Sequence, residues 1–164
     1  MKWAIQIVWL LLIPATANAV VEEEELKEIV EAKYAQMNKA LVGKDLGALT
    51  AICTADCKFK VRPGGVSLSL DQFKRIQEQG FKTLTVNRAR TTVDSVQVQG
   101  DRAIVRATWI ADLSAKKGKS SRNLRGVQKL LDTWSHDDED WRLSVSNVLS
   151  TRTSEIPRPT RAKL

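Results

Sequence analysis

Apolar positions recur at spacings of three and four through "VVEEEELKEIVEAKYAQMNKALVGKD". Leu26, Ile29, Val30, Lys33, Met37 and Leu41 fall on one face, a period that predicts a long helix lying on a core. The glutamates near its start suit the positive end of the helix dipole, and Gly43 marks its end. "DLGALTAICTADC" predicts a second, shorter helix, capped by Asp45, with Leu46, Leu49, Ile52 and Cys53 facing inward. "KFKVRP" is then a short strand closed by a Pro63-Gly64-Gly65 turn. A third helix follows in "SLDQFKRIQEQGF", where Ser69 and Gln72 stand at the spacing of a capping box.

Beyond this helix the period changes to two. "TLTVNRARTTVDSVQVQ", "RAIVRATWIADLSA", "SRNLRGVQKLLDTWS" and "DWRLSVSNVLSTR" are β-rich runs, separated by Gly100-Asp101, "KKGKSS" and "HDDED". Three helices followed by an antiparallel meander predict an α+β fold, with helices packed on one face of a curved sheet. After Arg152, "TSEIPRPTRAKL" has two prolines and little apolar content, which predicts a basic tail over residues 153–164. The folded domain is therefore placed at residues 20–152.

Composition adds a compartment and removes several function classes. The chain has 164 residues, 43% hydrophobic and 27% charged, in the range of one compact domain. Residues 1–19 stand apart. Lys2 precedes the apolar run "WAIQIVWLLLI", Pro14 breaks it, and "ATANA" sets Ala17 and Ala19 at the spacing signal peptidase needs. The run is shorter than the about 20 apolar residues of a membrane span. A secretory signal cleaved after Ala19, a secreted or periplasmic protein and no membrane span after cleavage are the expectations. The net charge is +7, yet the basic residues cluster only in "SAKKGKSSR" and "RPTRAKL", and no nucleic-acid-reading motif is present. Nucleic acid is not an expected partner.

Cys53 and Cys57 sit in "AICTADC". An oxidising compartment favours a disulfide, but four-residue spacing within one helix puts the Cα atoms about 6 Å apart, near the limit for a bridge. A disulfide and a pair of buried small side chains both fit. With one histidine and two cysteines there is no zinc site, and no P-loop, Rossmann glycine run or G-x-S-x-G elbow appears, so neither metal nor cofactor is expected.

"GKDLGALTAICTADC", then "GDRAIVRATW", then the closing "LLDTWSHDDEDWRLSVSN" occur in an order that resembles the SnoaL-like, DUF4440-like branch of the nuclear transport factor 2 (NTF2-like) superfamily. The resemblance spans roughly residues 26 to 150 and implies a cone: a strongly bent sheet wrapped around one long helix, with a pocket open at one end. That cone hosts isomerases, cyclases, dehydratases and non-catalytic binding or dimerisation modules, so the pocket must decide the function. Enolising isomerases of this fold use a tyrosine on the first helix, a protonated acid on a late strand and an aspartate base after the first strand. Laid on that pattern, this chain has Met37 at the tyrosine position, with Tyr34 three residues earlier. Arg62 stands where the base should be, and it cannot accept a proton. Asp132 alone matches. Histidine-dependent members need a histidine inside the cone, whereas His136 falls in "SHDDED", a six-residue polar stretch expected to be a solvated hairpin loop.

Alternation along the strands points to the candidate pocket lining. Gln128, Asp132 and Trp134 share one strand face, Arg106 and Trp109 lie on the preceding strand, and Asn147 shares a face with Trp141, Leu143 and Val145. Asp132 is expected either to pair with an arginine such as Arg106 or Arg125, or to be perturbed by an apolar setting. The expected protein is an exported, non-enzymatic module that binds a small apolar or amphipathic ligand and forms a homodimer through its sheet. The alternative is a SnoaL-type enzyme, isomerase or hydrolase-like, with Asp132 as its acid.

Overall fold

The computed structural model describes residues 16–157 apart from 118–119 and 138–139. α1 (Thr16–Gly43) is followed by α2 (Leu46–Ala51), β1 (Cys53–Lys60), β2 (Leu68–Ser69) and α3 (Leu70–Thr83). Four long strands complete the chain: β3 (Leu84–Gln99), β4 (Arg102–Lys117), β5 (Ser120–Asp137) and β6 (Asp140–Glu155). The strands form one sheet in the order β2-β1-β6-β5-β4-β3. β1 and β6 run parallel and every other pair is antiparallel.

Local chemistry sets the element ends. α1 stops at Gly43, and Lys44 takes the left-handed turn, with φ 56°. Asp45 caps α2 by accepting from the Ala48 N–H at 2.9 Å. Ser69 and Gln72 form the full capping box of α3. The second helix is shorter than its apolar pattern predicts. It ends at Ala51, where the Ile52 carbonyl turns to accept from the Leu143 N–H, and the chain enters the sheet at Cys53. Both cysteines therefore sit on β1, not on a helix.

Irregularities in the ladders of the long strands make the sheet bend. The β3–β4 register shifts between Val86 and Arg88 and again between Val93 and Ser95. The β5–β6 register shifts beside Ser144 and beside Leu149. Each extra residue reverses which parity faces inward and strengthens the local twist. On β6 the inward set accordingly changes from Leu143 to Ser146 and Val148, then to Thr151 and Thr153. α1 lies in the resulting concavity with Leu26, Val30, Tyr34 and Asn38 buried.

Two boundaries differ from expectation. β6 continues three residues past Arg152, pairing as far as Leu124–Glu155, so Thr153–Glu155 belong to the sheet and not to a tail. The β5–β6 ladder likewise extends through His136–Trp141 to Asp137–Asp140, which leaves a much tighter hairpin than a six-residue loop. Residues 1–15 and 158–164, which carry most of the expected leader and tail, lie outside the described residues. Among the described residues, no helix is long and apolar enough to cross a membrane.

Candidate functional site

The concave face divides into an open layer and a closed one. The open layer is a cavity of about 360 Å³ between α1, α3 and the sheet. Met37, Phe73, Phe81, Trp109, Leu130 and Val148 supply much of its apolar wall. The polar groups on it are few: Gln77, Gln128, Ser146, Thr151, Thr153 and the exposed Lys60. Trp109 is held in place because its indole N–H donates to Asn38 Oδ1 at 3.2 Å, while Asn38 Nδ2 donates to Thr91 at 3.1 Å.

One step along the strands the cone is filled. Asp132 follows Leu130 on the inward face of β5, but it is 1% exposed and does not border the cavity. Tyr34 donates its hydroxyl to Asp132 Oδ2 at 2.5 Å. Trp134 is fully buried and packs edge-on against the Tyr34 ring, with centroids 5.4 Å apart. Burial pushes the Asp132 carboxyl up to about 6, against the opposing pull of the Tyr34 hydroxyl, the Ser146 hydroxyl and the Asn147 N–H. Its Oδ1 is buried and has no hydrogen-bond partner among the described residues. Tyr34 itself is held well above the ordinary phenol range by burial first and by the Asp132 charge second.

Cys53 and Cys57 approach the same layer from β1. Both are buried and both are free thiols. In a regular strand residues four apart would lie about 13 Å from each other. Here β1 carries more residues than β6 between the pairs Cys53–Leu143 and Lys58–Val145, and the slack brings the two thiols close enough to influence each other. The Cys57 thiol lowers the Cys53 pKa, and Cys57 is pushed up by Cys53 and by burial.

Solved structures share this architecture. A conserved protein from Planctomyces limnophilus superposes with a TM-score of 0.66 at 17% identity, over 81% of this chain and 99% of its own. A ketosteroid isomerase-like protein from Erwinia carotovora atroseptica gives 0.60 at 19% identity, over 82% and 98%. An NTF2-like protein of unknown function from Prochlorococcus marinus gives 0.59 at 21%, over 79% and 92%. The chain has the NTF2-like fold. No protein-family model matches it, and no curated protein matches it in sequence. At these identities the likeness is one of fold, and the NTF2-like cone leaves the activity open.

The NTF2-like cone sorts the candidate residues plainly. Trp109 and Gln128 line the cavity. Asp132 and Trp134 lie in the closed layer beside it. Arg106 is exposed, because β4 turns Val105, Ala107 and Trp109 inward and alternation sends Arg106 out. Asn147 is not on the cavity wall either: the bulge at Ser144 reverses the parity of β6, so Ser146 and Val148 line the cavity instead. Neither expected arginine pairs with Asp132, since Arg125 is bound to Asp112 at 2.7 Å on the surface. His136 is exposed and contacts the Trp141 ring edge-on, while Asp140 is held by Lys33 at 2.8 Å. Among the described residues no group of three or more His, Cys, Asp or Glu is placed to hold a metal ion.

Two site residues were not among the sequence candidates. Tyr34 follows Leu26 and Val30 at four-residue steps, so the helical period did mark it as buried. Ser146 was hidden by the bulge, which no local pattern announces.

Proposed function

We propose that this chain is an exported NTF2-like module that binds a small apolar or amphipathic ligand in the open end of its cone, without catalysing a reaction. The observation that supports this reading is the separation of the cavity from Asp132. The cavity wall is mainly apolar, which suits an apolar body with a few polar groups to orient it. Among the described residues the one buried carboxyl, Asp132, sits behind that wall, engaged by Tyr34. A general acid must come within hydrogen-bond reach of the group it protonates. The SnoaL-type alternative draws support from the Asp132 pKa near 6, but it requires substrate to pass the Leu130 and Ser146 side chains.

A thermal-shift panel of steroid-like compounds, fatty acids and aromatic acids tests the binding reading. Binding to the folded chain stabilises it by RT ln(1 + L/Kd), where L is the free ligand concentration, so Tm rises with the logarithm of L once L exceeds Kd. Stabilisation by none of the classes sinks the proposal. The export component rests on the pattern of residues 1–19, and amino-terminal sequencing of the mature protein should begin at Val20. The proposed homodimer would bury the outward face of the sheet, where Ile104, Ile110, Val127, Leu131 and Val145 stand half-buried. A monomeric sedimentation profile would remove that element and leave the cavity argument untouched.

A further inference from the structure

We propose that the ligand of this cavity is an amphipathic anion, which lays an apolar tail on the floor and leaves its anionic head at the mouth beside Lys60. This inference rests on the cavity being a binding site and names the charge and the direction of what it takes. The wall is graded from floor to rim. Leu49, Phe59, Phe73, Val86 and Val148 line it and are buried, so the floor is aliphatic and aromatic. Lys60, Val61, Thr151 and Thr153 line it and are exposed, which puts them at the mouth. Lys60 is the last residue of β1, where the chain leaves the sheet. Among the described residues on the wall it alone carries a charge, and no Asp or Glu stands with it. It forms no ion pair with any described residue, so its ammonium is open to a ligand.

Desolvation fixes the direction. An ionised group taken into an apolar interior without a partner of opposite charge is heavily penalised, and the floor offers no such partner. Gln77, Gln128 and Ser146 can hydrogen-bond a head group but cannot neutralise it. A charged head therefore stays at the mouth, partly in water, while the tail takes the floor. At the mouth the sign of the one wall charge selects the head. An anion gains the Lys60 ammonium, whereas a cation is repelled by it and finds no carboxylate on the wall. Asp132 offers a cation nothing, because it does not border the cavity. A volume of about 360 Å³ lies at the small end of ligand pockets, which suits a single short tail.

The test compares decanoate with decylammonium by calorimetry on the full chain, in low salt and below micelle-forming concentrations. The two share an apolar tail and differ in the sign of the head. Decanoate should bind the wild type about tenfold more tightly, since one solvent-facing ion pair replaces one like-charge contact of similar size. Salt raised to about 0.5 M should shrink that ratio by screening. Lys60→Gln should bring it close to one, and Lys60→Glu should invert it. Lys60 is exposed and outside any ion pair of the described residues, so both variants should unfold at the wild-type midpoint. Equal affinity of the two probes for the wild type overturns the inference and leaves the binding reading standing. A preference that survives in Lys60→Gln comes from the net charge of the whole chain and overturns the role of Lys60. Binding of neither probe removes this inference, and whether the thermal-shift panel is also silent then decides the binding reading separately. Because the wild-type comparison stands alone, a poorly folded variant does not shield the idea.

Discussion

The two layers of the cone are built from the same strands, yet they are suited to opposite tasks. Around Trp134, Tyr34 and Asp132 the interior is filled, with a hydrogen-bonded acid and phenol sealed inside it. Around Trp109, Gln128 and Gly126 the same β4 and β5 leave about 360 Å³ open. The titratable chemistry lies in the closed layer and the space lies in the open one. Chemistry needs both in one place, whereas binding needs only the space. If this division is correct, substitutions in the closed layer should alter stability, and those in the open layer should alter ligand uptake.

The largest effect should come from the tryptophan pair. Trp134→Ala removes a fully buried ring and should cost about 3–5 kcal/mol in urea unfolding. Trp109→Ala removes a ring that already borders empty space, so it should cost clearly less while changing the affinity of any cavity ligand. Equal losses of stability would erase the distinction between the layers.

The acid comes next, through pH. A pKa raised from 3.8 to about 6 means that the folded chain keeps a proton the unfolded chain has released. Stability from this group is full below about pH 4 and is lost as pH rises through 6. At 1.36 kcal/mol per unit the swing is about 3 kcal/mol. Tyr34, Cys53 and Cys57 are the titratable groups facing Asp132, and the Asp132→Asn variant isolates its share. Asp112 and Asp140, whose pKa values are lowered by Arg125 and Lys33, act oppositely but below the ordinary carboxylate range. Unfolding midpoints measured between pH 4 and 7 should fall more steeply for the wild type than for Asp132→Asn. Parallel slopes would mean that the carboxyl is solvated, and the closed layer would not be closed.

Tyr34→Phe should follow at about 2 kcal/mol, since it removes a hydrogen bond to a charged group. It should also push the Asp132 transition to higher pH, because a donor that favours the charged form is gone. A phenylalanine variant as stable as the wild type would show that the hydroxyl is replaceable at that site.

Much of the frame was legible in the sequence, and the failures share a cause. The helical period, the Ser69–Gln72 box and the turn at Gly100-Asp101 are local signals, and each element they predict is present. Asp132 was legible as an acid on an apolar strand. Its neighbour Tyr34 is marked as buried by its four-residue steps from Leu26 and Val30, but its pairing with Asp132 is a tertiary contact that no local period announces. Arg106 could have been excluded by alternation with Trp109. Asn147 could not, since the bulges at Ser144 and Leu149 are set by how β6 bends around the core. The early end of α2 is likewise a tertiary effect: pairing with Leu143 outcompetes one more helical turn. Residues whose facing is set by a bulge are read wrongly by any strict period.

The smallest expected effect is at the cavity wall, and it tests the open layer most directly. A Cβ added at Gly126 would meet Leu113 Cδ1 and Trp109 Cζ3, both at 3.7 Å, which is ordinary contact. Its backbone is not in the left-handed region, so alanine should be accommodated without strain. Gly126→Ala should therefore leave stability unchanged or raise it by up to about 1 kcal/mol through the unfolded state. The methyl group should still narrow the cavity, weakening a steroid-sized ligand more than a naphthalene-sized one. Unfolding midpoints and calorimetry on the same preparation separate the two effects. A variant destabilised as severely as Trp134→Ala would mean that the wall at Gly126 is as tightly packed as the closed layer. In that case the cone has no open end for a ligand to use.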